Sequence, residues 1–409
     1  MAGVIVLLDG EHHPSVVRDA VARLAPVGAV WCGGDEKVPR EVLEDPVTHY
    51  GIQFDADEPR EHALRRLAPD ADTVVDLADE PVLAADAKLR LAALALHLGL
   101  AYRTATESFE PPRYERLDFS GPVLAVIGTG KRTGKTAVAG HLAQVLRGGG
   151  RQPAIVSMGR GGPPEPVVAA PDMTLEDLEA LAAAGRHAAS DYLEDAVLAR
   201  VPTVGCRRVG GSLAGVPFET NMVEGARLAA TLDGVDALIL EGSGACVPPV
   251  EADATVCIVG DPADATRALG PYRLLRADLV LAMRDAPPEL GELSDAPVVP
   301  VRLEPEPAEE LPAGARVAFF TTGAGDPAGV EPAVTSRNLA RRGALADDLA
   351  RADEARCDVY LTELKAAAID TVAVHARRVG APVMFVRNRV VAADGTDLDA
   401  LLAGLAGDG

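Results

Sequence analysis

Short apolar runs recur along the whole chain with helical patterns between them, and this alternation constrains the fold more than any other feature of the sequence. Runs at 4–8, 29–32 and 73–76 are followed by a helical pattern over 86–98, and the pattern fades at Pro111-Pro112. Further runs at 123–127, 154–157, 203–205, 237–241, 255–259 and 279–282 lead to the stretch PVRLEPEPAEELPAG. Beyond it lie runs at 316–320, 358–361 and 383–386. Strands that alternate with helices in this way build parallel sheets covered by helices. The chain has 409 residues, too many for one ordinary core. The reading is therefore α/β in three parts. A small Rossmann-like domain spans 1–117, a larger parallel sheet spans 118–303, and a C-terminal α/β region spans 304–409. The Pro- and Glu-rich stretch before this last region reads as an extended, exposed linker. The pattern leaves open whether the last strands join the central sheet or form their own.

The stretch 123–143, VLAVIGTGKRTGKTAVAGHLA, nearly matches the standard phosphate-binding loop, a glycine, four residues, then Gly-Lys-Ser/Thr. Thr129 stands where the first glycine belongs, with Gly128 one place early and Gly130 one place late. The setting is that of a phosphate loop all the same: a buried β-branched run precedes it and a good helix former follows. Loop amides and the positive end of the helix converge on phosphate oxygens, Lys135 adds an ammonium, and Thr136 offers a hydroxyl to magnesium. The expected nucleotide contacts are Gly128, Thr129, Gly130, Lys131, Arg132, Thr133, Gly134, Lys135, Thr136 and Ala137. These make 118–303 a P-loop NTPase domain with ATP and Mg²⁺ as its cofactors.

Ligands of open parallel sheets gather at the carboxyl ends of the strands. There the run 237–240 is followed by EGSGACVPPV, and Glu241 is placed to bind or position magnesium near Thr136. Gly-Thr, four residues, Gly-Lys-Thr is similar to the loop of dethiobiotin synthetase, and EGSG resembles that family's magnesium segment. Neither an Asn-Lys-x-Asp motif nor a protein-kinase signature set occurs, which favours ATP over GTP.

LLDGEHHPSVV, VVDLADEPVL, VIGTGKRTGKTAV, SMGRGGPPEP, SDYLEDA, LEGSGACVPPVEAD and TELKAAAIDTV together resemble the cyclic 2,3-diphosphoglycerate synthetase family over nearly the whole chain. The resemblance implies a ligase that uses ATP to join the two phosphates of 2,3-diphosphoglycerate into an intramolecular anhydride, releasing ADP and phosphate. The residues alone reach an ATP-dependent phosphoryl-transfer enzyme. Two alternatives stand beside it: a carboxylate-activating ligase of dethiobiotin-synthetase type, and a nucleotide-gated regulatory ATPase.

Neighbouring phosphates repel each other and the γ-phosphate of ATP, so an acceptor pocket must neutralise several charges. Lys131 and Arg132 in the loop, Arg160 in MGRGG, Arg207-Arg208 after 203–205, and Lys365 after 358–361 are the basic groups at strand ends. Arg160, Arg207, Arg208 and Lys365 are expected to contact substrate, whereas Lys131, Lys135, Arg160 and Glu241 are expected to carry the chemistry. Arg132 and one of Arg207 or Arg208 have a plainer reading, facing water or pairing with acids such as Glu219. His12 and His13 invite a metal reading, but adjacent residues point apart and no third ligand has metal spacing. Substrate binding by one and packing by the other is preferred. Asp191, Glu194 and Asp195 of SDYLEDA read equally as a charged helix face or as groups that orient magnesium or an ammonium.

The formal charge of −22 argues against nucleic acid or an anionic membrane as partner. Five scattered cysteines with no C-x-x-C pair indicate free thiols in a reducing cytosol. The run GVIVLL lacks a basic leader, and no apolar stretch is long enough for a bilayer. A soluble, cytoplasmic protein is expected, with small-molecule partners and room for a homodimer.

Overall fold

The computed structural model describes residues 3–283, 286–323 and 325–407. The chain divides into two compact units: one formed by Met1–Arg113 with Ala263–Arg276 and Glu292–Asp295, the other by the remainder.

The first unit is built on β1 (Val4–Leu8), β2 (Gly28–Trp31), β3 (Thr73–Asp76), β4 (Ala101–Arg103) and β5 (Ser108–Phe109). These strands lie in the order β2-β1-β3-β4-β5, parallel except for β5. β1 is flanked by β2 on one side and β3 on the other, so the chain reverses its progress across the sheet there. Such a reversal opens a crevice at the strands' carboxyl ends. The segments 263–276 and 292–295 lie outside the 1–117 expected from alternation. The short helix Pro271–Leu275 nevertheless packs against the helix Ala85–His97, burying Tyr272 and Leu274. A reading by contiguous runs has no means of detecting such an excursion.

The second unit carries β6 (Val123–Gly128), β7 (Pro153–Gly159), β8 (Val167–Ala169), β9 (Thr203–Val209), β10 (Glu219–Thr220), β11 (Ala237–Glu241), β12 (Ala254–Val259) and β13 (Leu279–Ala282). It continues with β14 (Val298–Pro307), β15 (Val317–Phe320), β16 (Val334–Ser336), β17 (Val359–Glu363) and β18 (Val383–Ala392). Among the described residues these thirteen strands form one sheet, in the order β10-β9-β7-β11-β6-β12-β13-β14-β18-β17-β15-β16, with β8 on β9. The C-terminal strands thus share the central sheet. They enter through the antiparallel pair β14–β18, in which Val301 faces Ala392 and Pro307 faces Val386.

That pair corrects the linker reading of PVRLEPEPAEELPAG, whose first half is strand rather than exposed connector. Pro305 and Pro307 share one parity in β14, so both nitrogens can turn away from the β18 ladder. The Pro305 carbonyl accepts the amide of Ala328 at 2.7 Å. Glu304 and Glu306 find Arg389 and Arg387 across the pair at 2.7 Å each. Proline and glutamate content signals a linker only when no partner strand absorbs it.

The helix Lys135–Gly148 covers β6 through Val138, Leu142 and Leu146, spaced four apart, with Ala139 and Ala143 beside them. They meet Leu124, Val126, Ile155, Ile239 and Val256 of the sheet. Burial of each large aliphatic side chain contributes about 1.5–3 kcal/mol. This packing fixes the helix start, and with it Lys135 and Thr136, at the carboxyl end of β6.

Candidate active site

Every residue of β6 is buried, and the chain turns sharply where the strand ends. A Cβ added at Gly128 would lie 2.6 Å from Thr133 Oγ1, so the early glycine makes room for the returning loop. Thr129, at the place of the usual first glycine, is tied instead to β12. Its amide donates to the Ile258 carbonyl at 3.0 Å, and its hydroxyl accepts from the Gly260 amide at 3.4 Å. The shifted spacing therefore preserves a tight loop with a different anchor. Lys131 and Arg132 are exposed on it, whereas Lys135 is buried.

The Lys135 ammonium donates to the Gly130 carbonyl at 2.8 Å and to Thr133 Oγ1 at 3.2 Å. Burial pulls it below the usual lysine range; Glu241 and Asp191 oppose that pull and Arg160 reinforces it. Glu241 closes β11 and is 2% exposed. It accepts the Thr136 hydroxyl on one oxygen at 2.8 Å and the Ser157 hydroxyl on the other at 2.5 Å. Burial, then repulsion from Asp191, pushes its carboxyl up, while the two hydroxyls and Lys135 hold it down. A carboxylate among hydroxyls offers the hard oxygen donors that suit magnesium. Ser157 escaped the sequence reading; a lone serine in the apolar run AIVSMG was its only signal.

The helix Asp191–Ala199 is not a solvated charged face. Glu194 and Asp195 are both buried. Glu194 receives the Lys365 ammonium at 3.1 Å, so Lys365, expected to contact substrate, is engaged by the protein itself. Burial raises the Glu194 carboxyl to about 7 despite that partner. Asp195 faces Glu241, and burial followed by repulsion from Glu241, Glu194 and Asp191 holds it well above the carboxylate range.

β9 runs on through Val209, past the 203–205 expected, because β10 pairs with its polar end, Thr220 facing Arg208. Arg207 and Arg208 are thus neighbours within a strand rather than residues after it, and their side chains take opposite faces. Arg207 is exposed. Arg208 turns inward and donates to the carbonyls of Gly210 at 2.7 Å and Ser243 at 2.9 Å. Burial and the charge of Arg160 lower its affinity for its proton, which Cys246 partly offsets. A Cβ at Gly244 would lie 2.3 Å from Arg160 Nη2 and 3.2 Å from Arg208 Nη2, so both guanidiniums close over this glycine. Arg160 lines a cavity of about 210 Å³ with Ser157, Gly159, Asp191, Tyr192 and Ser243. One cavity thus adjoins both the acid cluster and the guanidinium pair.

In the first unit, His12 Nδ1 lies 2.8 Å from Asp9 Oδ1. Asp9, at the end of β1, also accepts the amides of Glu11 at 3.1 Å and Asp79 at 2.5 Å. His13 takes a different role. It caps the helix Pro14–Leu24, its Nδ1 accepting the Ser15 amide at 3.3 Å. Among the described residues, no group of three or more His, Cys, Asp and Glu side chains has metal-holding geometry, and no helix is long and apolar enough to cross a membrane.

Three family models match the chain. They are described as the N-terminal domain, the P-loop domain and the C-terminal domain of cyclic 2,3-diphosphoglycerate synthetase, over residues 3–110, 123–291 and 325–389. Cyclic 2,3-diphosphoglycerate synthetase from Rubrobacter xylanophilus is 42% identical, covering 95% of this chain and 94% of its own. The protein of that name from Thermococcus kodakarensis is 37% identical, over 96% of each chain. The one from Methanothermobacter thermautotrophicus is 36% identical, over 96% of this chain and 93% of its own.

Proposed function

The chain belongs to the cyclic 2,3-diphosphoglycerate synthetase family, and on that premise we propose how its second unit drives ATP-dependent closure of 2,3-diphosphoglycerate to the cyclic anhydride, with release of ADP and phosphate. The enzyme is an ATP-dependent ligase acting on small molecules. The observation that carries the reading is the convergence of three charge systems at the carboxyl ends of β6, β7, β9 and β11. These are the buried Lys135 ammonium, the Glu241 carboxylate with Thr136, and the Arg160–Arg208 pair over Gly244.

The loop amides and Lys135 hold the phosphates of ATP, and Lys135 stabilises charge on the transferring group. Thr136 and Glu241 would hold Mg²⁺, with Ser157 fixing the carboxylate, and a bound ion would supply charge neutralisation to phosphoryl transfer. Arg160 and Arg208 hold the acceptor phosphates, with Lys131 reaching in from the loop. Two guanidiniums exceed what a single carboxylate needs, which favours a bisphosphate over a carboxylate-activating ligase. Family membership likewise sets aside the regulatory ATPase.

The chemistry proceeds in two displacements. An oxygen of one substrate phosphate attacks the γ-phosphorus, forming a P–O–P bond as ADP leaves. An oxygen of the neighbouring phosphate then attacks the activated substrate phosphorus, closes the ring and expels orthophosphate. The bridging oxygen leaves with that orthophosphate. No protein nucleophile takes part. The test is to label the peripheral phosphate oxygens of 2,3-diphosphoglycerate with oxygen-18. Orthophosphate carrying one labelled oxygen supports the sequence, and unlabelled orthophosphate contradicts it.

His12, tied to Asp9 at the crevice of the first unit, contributes to acceptor capture.

A further inference from the structure

We propose that Asp195 is a third protein group of the magnesium site, acting beside Glu241 and Thr136. The inference rests on the metal reading given above and extends it to a residue outside the phosphate loop and the EGSG segment.

Asp195 is 2% exposed, and neither of its carboxylate oxygens meets a hydrogen-bond donor among the described residues. Glu194, Glu241 and Lys135 are each engaged. Glu194 has Lys365 at 3.1 Å, Glu241 has the hydroxyls of Thr136 and Ser157, and Lys135 has Gly130 and Thr133. Asp195 lies instead against a second carboxyl, that of Glu241. Buried polar groups are almost always paired, and an unpaired carboxylate costs stability. Two carboxyls in contact meet through a shared proton or through a cation between them.

The surroundings decide which cation. Asp195 and Thr136 line one cavity of about 250 Å³, together with Glu194, His141, Glu306 and Arg387. His141 is paired with Asp399 at 2.7 Å and Arg387 with Glu306 at 2.7 Å, so neither ring nor guanidinium answers Asp195. Asp195 and Thr136 offer this cavity hard oxygens. Magnesium is typically held by one or two carboxylates, with phosphate oxygens and waters filling its remaining positions. Glu241 and Asp195 supply the two, and Thr136 the hydroxyl.

The test uses the full chain with Mn²⁺ as a paramagnetic probe, titrated with and without ADP. The parent protein is expected to bind Mn²⁺ more tightly with ADP present. Asp195→Asn should weaken that binding on the order of 10–100-fold, the usual loss when a partner of a metal site is removed. The nucleotide-free variant should also melt at a higher temperature than the parent at about pH 8, because the introduced amide donates to Glu241 without a shared proton. Asp195→Ser serves as the second variant if the first does not fold. Parent-like Mn²⁺ binding by the Asp195 variant, with binding lost in Glu241→Gln, overturns the assignment of Asp195 alone. Parent-like binding by both variants overturns the metal site as well.

Discussion

The Thr136 hydroxyl donates to Glu241 across 2.8 Å, joining residues 105 positions apart and fastening the first turn of the loop helix to the end of β11. A carboxylate proposed to hold magnesium there would carry its charge into the reaction. Glu241→Gln should therefore lower kcat on the order of 10²–10³-fold and shift the magnesium titration to higher concentration. An unchanged magnesium titration would make Glu241 a purely structural tether.

Arg160 and Arg208 close over Gly244 from two different strands. Each is expected to make a charge-assisted contact to the acceptor, and losing one costs about 2–5 kcal/mol when its partner charge stays buried and unpaired. Calorimetry of Arg160→Ala and Arg208→Ala should show acceptor affinity lost and nucleotide affinity kept. The reverse pattern would move the pair to the ATP site.

The two adjacent histidines of the first unit should separate by assay. His13→Ala removes a helix cap and should lower stability by about 0.5–2 kcal/mol, with little effect on KM. His12→Ala should raise KM for 2,3-diphosphoglycerate more than KM for ATP. Equal shifts in both KM values would contradict a role in acceptor capture.

Burial raises Glu194 from its ordinary 4.5 to about 7, although Lys365 acts against the shift. Between those values the native state keeps a proton that the unfolded chain has released. The associated stability is full below pH 4.5 and is lost as pH rises through about 7. Glu194→Gln lacks this slope, so its melting temperature relative to the parent should climb between about pH 5 and about pH 8. The difference is roughly 3 kcal/mol. A constant difference would show that Glu194 does not titrate there.

The phosphate loop and the Glu241 segment were legible because each couples a local strand or helix pattern to a spacing that phosphate chemistry demands. Thr129 was the informative anomaly, and its anchor on β12 lies in residues far along the chain. Arg207 and Arg208 were visible as a pair, but which of them turns inward depends on β10 extending β9. The burial of Glu194 and Asp195 was hidden for a similar reason. Charges at 191, 194 and 195 suit a wet helix face until the sheet and Lys365 are placed against them. The Pro- and Glu-rich stretch misled because its partner, β18, lies some 80 residues downstream: Arg387 and Glu306 are 81 positions apart.

The central claim is ring closure, and phosphorus NMR of the complete reaction tests it most directly. With ATP, Mg²⁺ and 2,3-diphosphoglycerate, the account predicts a new pair of mutually coupled anhydride phosphorus signals, growing in step with ADP and orthophosphate. Accumulation of ADP and orthophosphate while 2,3-diphosphoglycerate stays unchanged would contradict it.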